Sequence, residues 1–244
     1  MALSNRSEKM RDKLKDENYF NRLIEEEESR IIRAENLVKQ AISERGESDR
    51  GTRNGYTGLI IKYLDIINLL YSGGSDLEII EGYYKKLLPY YGKMWDRNYG
   101  YIDLIKVLSL GVLFGIDKKE IAVLEEKLKA ENFDDYLVNV LIKSVDPGWM
   151  NSGTEFEFPR LYDYLKTVLE SDASQTCDML KEYLEKKWYK IHRQCAWYNS
   201  HKKDRDLYYG YWSFDAGAIA KILKLDDLTL KDVSYYPYDL VHYK

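Results

Sequence analysis

Apolar residues recur at helical spacing along almost the whole chain, and no segment alternates apolar and polar residues as a half-buried strand does. The clearest stripe lies in residues 17–45, where apolar side chains follow each other at intervals of three or four. It consists of Phe20, Ile24, Ile31, Ala34, Val38 and Ala41. All four prolines lie near predicted element ends. The pattern predicts an all-α protein, a multi-helix bundle of packed helical hairpins with no significant sheet.

Three of the predicted helices are apolar almost all round, which is typical of helices in the centre of a fold. They cover about 54–72, 98–115 and 211–224, and the last is rich in alanine, which favours close helix approach. The remaining amphipathic helices are predicted at about 76–93, 117–130, 133–144, 159–170 and 173–195. Residues 46–53 read as a polar loop, and 146–158 as the longest loop of the C-terminal part. Asp117 and Asp226 are predicted helix N-caps.

We expect an N-terminal helical region, residues 1–94, packed on a C-terminal helical domain, residues 95–244. No Ser/Gly-rich linker separates the two. One compact unit is therefore the expectation.

Tyrosine is the compositional outlier, with 23 residues against six phenylalanines. A buried tyrosine must place its hydroxyl on a partner or in water. Two cysteines in 244 residues do not make a disulfide scaffold, so a reduced compartment is expected. The N-terminus is charged from Arg6 onward, and no run of 18 apolar residues occurs. These features predict a cytoplasmic protein that does not enter a membrane.

The net charge of −4 argues against a nucleic-acid-binding protein, which usually carries a basic surplus. The charge is uneven. Residues 16–35 hold seven acidic and three basic side chains, a net of −4, whereas residues 181–205 hold eight basic and three acidic, a net of +5. The sequence is thus compatible with a basic partner.

Motifs for catalysis or cofactor binding are missing from the sequence. The best metal-like cluster, His192, Cys195, His201 and Asp204, lacks the paired spacing of a zinc site and has basic neighbours. Neither a P-loop nor a nucleophile elbow occurs, although two carboxylates could still meet in space. We therefore predict no metal, no cofactor, no small-molecule substrate and no enzymatic activity.

The aromatic stretches 188–198 and 208–214, with basic residues interleaved among the aromatics of the first, resemble the pattern of proteins that stack single-stranded bases. The same aromatics fall at helical spacing, which is more typical of a core. With an acidic net charge, the core interpretation is preferred.

The acidic run on the first helix is the clearest candidate for partner binding. Glu25, Glu26 and Glu28 point away from the apolar stripe, whereas Glu27 falls on it. An acidic patch can match the positive field of a nuclease active site, although most charge runs are only solvated helix faces.

Two further acidic sites are candidates of the same kind. They are Asp134 with Asp135, and Glu155 with Glu157, which flank Phe156 in the loop near Trp149. The alternative is that the loop aromatics fold back onto the core.

Two aromatic blocks near the C-terminus are the most specific features of the chain. They read Tyr209-Gly210-Tyr211-Trp212-Ser213-Phe214-Asp215 and Tyr236-Pro237-Tyr238-Asp239-Leu240-Val241. Together with Tyr99-Gly100-Tyr101, Trp188-Tyr189 and Trp197-Tyr198, they resemble the signature of the PoNe immunity family (PoNi). These are all-helical cytoplasmic antitoxins against DNase effectors delivered between bacteria.

The resemblance implies a helical fold, cytoplasmic residence and inhibition of a toxin nuclease domain by protein contact, with a helical regulatory or scaffold protein as the alternative. We expect the signature residues to hold the fold together and Asp215 to be buried against a tyrosine hydroxyl or a basic side chain. The signature residues are Trp188, Trp197, Tyr211, Trp212, Phe214, Asp215, Tyr236, Pro237, Tyr238 and Asp239.

Overall fold

The computed structural model describes residues 9–98 and 100–244, and this part of the chain consists of helices and turns without a strand. The predicted all-α fold is confirmed. Arg6 and Tyr99, which entered the sequence argument, lie outside the described residues. The helices are α1 Glu17–Arg45, α2 Arg50–Ser72, α3 Leu77–Met94, α4 Tyr101–Phe114, α5 Lys118–Ala130, α6 Tyr136–Val145, α7 Pro159–Leu169, α8 Ala173–Glu182, α9 Tyr189–Ile191, α10 Phe214–Leu223 and α11 Tyr238–Val241.

The described chain divides into two compact units. The first contains the residues up to Trp95 together with Asn199–Tyr211, and the second contains Asp96–Tyr198 and Trp212–Lys244. In the first unit, α2 packs against both α1 and α3. In the second, α4 packs against α6 and α10. The near-continuous apolar surfaces of α2 and α4 are thus buried in the two cores, as their sequences predict.

Segment 199–211 joins the first unit through a set of hydrogen bonds. The Tyr19 hydroxyl donates to the carbonyl of Tyr208 at 3.1 Å and accepts from the Tyr208 N–H at 3.2 Å. The Tyr208 hydroxyl donates to the buried carboxylate of Asp12. Ser72 on α2 donates to the carbonyl of Tyr209 at 3.1 Å. Residues from late in the chain therefore complete the core that α1–α3 begin.

Helix starts follow from capping aspartates. Asp117 is the N-cap of α5, as predicted, and it forms a full capping box with Glu120. The polar loop is shorter than the predicted 46–53. Asp49 accepts from the Thr52 N–H at 2.9 Å and caps α2, which begins at Arg50. The prediction for Asp226 is wrong. A single 3₁₀ turn, Leu228–Leu230, follows it, and no helix begins there.

Two further expectations fail locally. Pro89 lies inside α3 and not at its end. The predicted helix 173–195 is α8 followed by a π-helical turn, Tyr183–Trp188, and ends with α9 at Ile191.

The C-terminal blocks pack as predicted. A Cβ added to Gly217 on α10 would lie 2.6 Å from Cγ of Pro237, so only glycine allows this approach. The Tyr236–Tyr238 segment therefore folds back beside α10. No helix in the described ranges is long and apolar enough to cross a membrane.

Candidate partner-binding surfaces

The acidic run of α1 is partly neutralised by its own unit. Glu26 accepts from Arg22 at 3.4 Å and from Arg30 at 3.2 Å. Glu27 is 4% exposed, lies on the packing face as predicted, and pairs with Arg30 at 3.0 Å and Lys62 at 3.1 Å. Arg22 and Arg30 are already included in the net charge of −4 for residues 16–35, and Lys62 of α2 adds one further positive charge beside the run.

The other two glutamates of the run differ from each other. Glu28 is half-buried and accepts from the Tyr83 hydroxyl on α3 at 3.0 Å. Glu25 is exposed and has no ion pair within 4.0 Å among the described residues. Asp206 of segment 199–211 joins the same surface through Arg22, at 2.9 Å. Glu25 is therefore the carboxylate of the run that is most available to another molecule.

Asp135 is a structural residue, and its prediction as a partner contact is wrong. It is 1% exposed and accepts from the Tyr101 hydroxyl at 2.7 Å. It also accepts from the backbone N–H groups of Val138 and Glu157, at 2.9 and 2.8 Å. Burial raises the pKa of the Asp135 carboxyl, and these hydrogen bonds oppose the shift. Its position as the N-cap of α6 explains why an aspartate stands here.

Asp134 is exposed, but it also anchors the loop 146–158. Its Oδ1 accepts from the Gly153 N–H at 2.9 Å and from the side-chain amide of Asn139 at 2.6 Å. Asn139 in turn accepts from the indole N–H of Trp149 at 2.9 Å. The loop is thus held to α6 by a connected set of hydrogen bonds.

The two acidic residues at the end of this loop remain on the surface. Glu155 and Glu157 are exposed, and Glu157 pairs with Arg97 at 3.2 Å. Trp149 and Phe156 are buried, so the alternative in which the loop aromatics fold onto the core is the correct one for both. Phe158 stays half-exposed, and Met150 at the loop tip is 85% exposed.

The aromatic signature of the second unit surrounds buried polar groups. Asp215 is 5% exposed and accepts from the Tyr183 hydroxyl at 2.7 Å and from Ser213 at 2.8 Å, as the sequence predicts for this position. Trp188 stacks on Trp197 with ring centroids 5.6 Å apart.

The remaining signature residues vary in burial. Tyr236 is buried and donates to the buried carboxylate of Asp227. In the first unit, the buried Tyr211 hydroxyl lies 3.1 Å from the Ser200 hydroxyl. Phe214 and Pro237 are buried, Trp212 and Tyr238 are half-buried, and Asp239 is exposed.

The metal-like histidines of the sequence have protein partners. His192 has its Nδ1 2.7 Å from the Trp188 carbonyl, so this nitrogen carries the proton, and its Nε2 accepts from the Tyr162 hydroxyl at 3.3 Å. His201 has its Nδ1 2.9 Å from the Tyr211 hydroxyl. Burial raises the pKa of the Cys195 thiol to about 11, which disfavours a thiolate. Within the described ranges, no three His, Cys, Asp or Glu side chains are grouped as metal ligands.

Comparison with known protein families places this all-helical chain among the immunity proteins. A family model described as PoNe immunity protein (PoNi), N-terminal, matches residues 11–126, and one described as PoNe immunity proteins (PoNi), C-terminal, matches residues 133–240. Since the two together span most of the sequence, the chain belongs to the PoNe immunity protein family.

Among solved structures, the chain is similar to protein PA2201 from Pseudomonas aeruginosa. The identity is 17%, the match covers 98% of this chain and 91% of that one, and the TM-score is 0.67. This similarity concerns the fold. The comparison with curated proteins gave no match.

Proposed function

We propose that this protein binds and inhibits a cognate bacterial DNase toxin through protein–protein contact, without catalysis of its own. The observation that carries the proposal is the match to both halves of the PoNe immunity family. The proposed site of action is the cytoplasm, where an incoming DNase meets the chromosome that it attacks.

The proposed contacts are surface carboxylates, of which Glu26 and Glu28 are half-buried and the others exposed. On the first unit they are Glu25, Glu26 and Glu28 of α1, and on the second they are Asp134, Glu155 and Glu157. A DNase must present Lys and Arg to the phosphate backbone, so its active site carries a positive field. Carboxylates on the inhibitor match that field and accelerate the encounter between the two proteins.

Co-expression with a candidate cognate nuclease, sought first among the products of neighbouring genes, tests the proposal. We expect the protein to rescue the growth of cells that produce the toxin, to co-purify with it, and to abolish its cleavage of plasmid DNA in stoichiometric mixtures. The purified protein alone should leave both the DNA and the toxin chain intact. Co-purification without any loss of cleavage would favour a scaffold protein, and turnover of the toxin at substoichiometric amounts would indicate an enzyme.

A further inference from the structure

A group of aromatic side chains in the second unit reaches the surface. It consists of Tyr189 of α9, Trp197, Tyr198 and Tyr235, all of them half-buried, and we call it the Tyr189 cluster. The ring centroid of Tyr189 lies 4.5 Å from that of Tyr198, 5.6 Å from that of Tyr235 and 6.3 Å from that of Trp197. Because the rings touch one another and none is fully buried, they form one continuous aromatic surface.

One ring of the cluster is held by an unfavourable backbone conformation. Tyr235 has a φ of +71°, in the left-handed region that bulky residues rarely adopt. Its carbonyl accepts from the Ser213 N–H at 2.8 Å, and its ring stacks on Tyr189 with the two planes 7° apart. Such conformations persist only where the surrounding structure fixes them, and they are frequent at binding sites. The Tyr235 ring is therefore in place before a partner arrives.

Basic side chains accompany the cluster. Lys186 and Arg193 stand three residues before and four residues after Tyr189, a spacing that keeps side chains on one face of a helical segment. Lys186, Lys190 and Arg193 are exposed, and none has an ion pair within 4.0 Å in the described part of the chain. Residues 181–198 hold five basic and two acidic side chains, a net of +3. This surface is therefore positive, in contrast to the acidic run of α1.

The packing of the rings distinguishes between two kinds of anionic partner. Proteins that bind single-stranded nucleic acid offer ring faces on which bases stack. Here Tyr189 stacks on Tyr235, and Trp197 stacks on the buried Trp188, so the protein itself covers a face of each ring. The edge of an aromatic ring is positive, and the hydroxyl of Tyr198 has no hydrogen bond in the described part of the chain. Ring edges, a hydroxyl donor and cations suit carboxylates better than bases.

We infer that the Tyr189 cluster binds an acidic segment of the nuclease partner, whose Asp or Glu carboxylates contact Lys186, Arg193 and the Tyr198 hydroxyl. Tyrosine, tryptophan and arginine are the residues that most often anchor protein interfaces. A rigid aromatic surface also loses little conformational freedom on binding. The inference rests on the proposed function and adds to it a positively charged contact on the second unit.

Two variants of the full-length protein test the inference without disturbing the fold. The charge variant, Lys186→Gln with Arg193→Gln, removes two exposed charges that have no ion pair in the described part of the chain. The hydroxyl variant, Tyr198→Phe, keeps the ring and breaks no hydrogen bond among the described residues. An unchanged melting temperature verifies the fold of each.

Each variant has a matched control. Lys119→Gln with Lys127→Gln removes two exposed charges from α5, and Tyr238→Phe removes a hydroxyl from another half-buried tyrosine. The probe is the catalytic domain of the candidate nuclease from the co-expression test, inactivated by mutation. Surface plasmon resonance measures Kd, on-rate and off-rate.

We expect the charge variant to raise Kd at least about tenfold, because arginine and its neighbours act as anchors once an interface covers them. The hydroxyl variant should raise Kd at least about fivefold, mainly through a faster off-rate, because hydrogen bonds to charged groups are strong. Each control should change Kd by less than about threefold, as isolated surface groups do.

Other outcomes separate the two proposals. If the wild-type protein binds the nuclease and both variants bind as tightly as their controls, the cluster inference is wrong and the proposed function stands. An equal weakening by the charge variant and its control shows only a general charge effect and also overturns the inference. If the wild-type protein does not bind the nuclease at all, both proposals fall.

A fluorescent single-stranded oligothymidylate tests the other anionic partner. We expect no binding that depends on the cluster. If the wild-type protein binds this probe, the charge variant does not, and the affinity for the nuclease is the same for both, the cluster is a nucleic-acid site and the inference is wrong.

Discussion

Asp215 accepts a hydrogen bond of 2.7 Å from the hydroxyl of Tyr183, and both residues are buried in the second unit. The carboxylate lies in the first turn of α10, where Ser213 supplies a second hydrogen bond. The family signature around Asp215 therefore holds a charged group inside an apolar core.

Removing the Tyr183 hydroxyl should destabilise the protein. Tyr183→Phe leaves one oxygen of a buried carboxylate without its donor, and hydrogen bonds to charged groups contribute about 1.5–3 kcal/mol. We expect a loss of that size in the free energy of unfolding, measured by urea denaturation.

The matched control is Tyr238→Phe, because Tyr238 is half-buried and its hydroxyl has no hydrogen bond in the described part of the chain. That substitution should change stability by less than about 0.5 kcal/mol. Equal effects of the two substitutions would contradict the assigned role of Asp215.

Periodicity was enough to predict the helices that bury an apolar stripe. The bounds of α1 agree with the predicted 17–45 because its buried stripe, in which Glu27 takes one position, runs from Phe20 to Ala41. The partner of Asp215 was also predictable in kind, since tyrosine is abundant and a buried carboxylate requires donors.

Long-range contacts and the capping role of Asp135 were not predictable. Asp135 has the local sequence of an exposed acidic pair, and only the positions of Tyr101 and Glu157 bury it. Tyr208 contacts Asp12 from 196 residues away, and nothing local in segment 199–211 indicates that it belongs with α1.

Segment 199–211 should stabilise the first unit through Tyr208. This residue is 1% exposed and packs against Phe20 and Tyr211, with ring centroids 6.3 and 4.8 Å away. Tyr208→Ala removes a buried ring and should cost about 3–5 kcal/mol, as other buried aromatic truncations do. Its neighbour Leu207 is 42% exposed, so Leu207→Ala should cost less than about 1 kcal/mol.

Native-state hydrogen exchange shows which helices lose stability in this variant. In Tyr208→Ala, amides of α1 and α2 should lose protection relative to the wild type. If their protection were unchanged, segment 199–211 would not support the first unit.

Stability should fall on acidification through the pH range of histidine. Burial lowers the pKa of His192 below its usual 6.5, because the charged ring is poorly solvated in the core. The unfolded chain then binds a proton that the folded chain does not. The stabilisation associated with the neutral His192 ring is complete above pH 6.5. It declines as the pH falls below this value, by at most about 1.4 kcal/mol per pH unit for one group.

Urea denaturation at pH 7.5 and pH 5.5 measures this effect. His192→Gln should be less stable at pH 7.5, yet should lose less stability between the two pH values than the wild type. His201, whose pKa is also lowered by burial and by Lys202, should account for a smaller part, so His201→Gln serves as the comparison. An unaltered pH dependence in His192→Gln would contradict the assignment.

The proposed electrostatic contact of α1 is best tested at Glu25. Reversing Glu25, Glu26 and Glu28 together would also break the ion pairs of Glu26 and the Tyr83 hydrogen bond of Glu28, so any loss of binding would mix surface charge with local structure. Glu25→Lys alone alters an exposed carboxylate without an ion pair in the described part of the chain. Glu126→Lys, on the exposed face of α5, gives the same change in net charge as a control.

If the basic face of the nuclease contacts α1, Glu25→Lys should slow association. It should also flatten the dependence of the on-rate on salt, because ions screen the steering between opposite charges. The effect on the off-rate should be small, as it is for rim charges. Stopped-flow association with the inactivated nuclease domain at several salt concentrations measures both rates. If the on-rates of Glu25→Lys, Glu126→Lys and the wild type depended on salt in the same way, α1 would not be part of the interface. Asp134, Glu155 and Glu157 would then remain as the proposed acidic contacts.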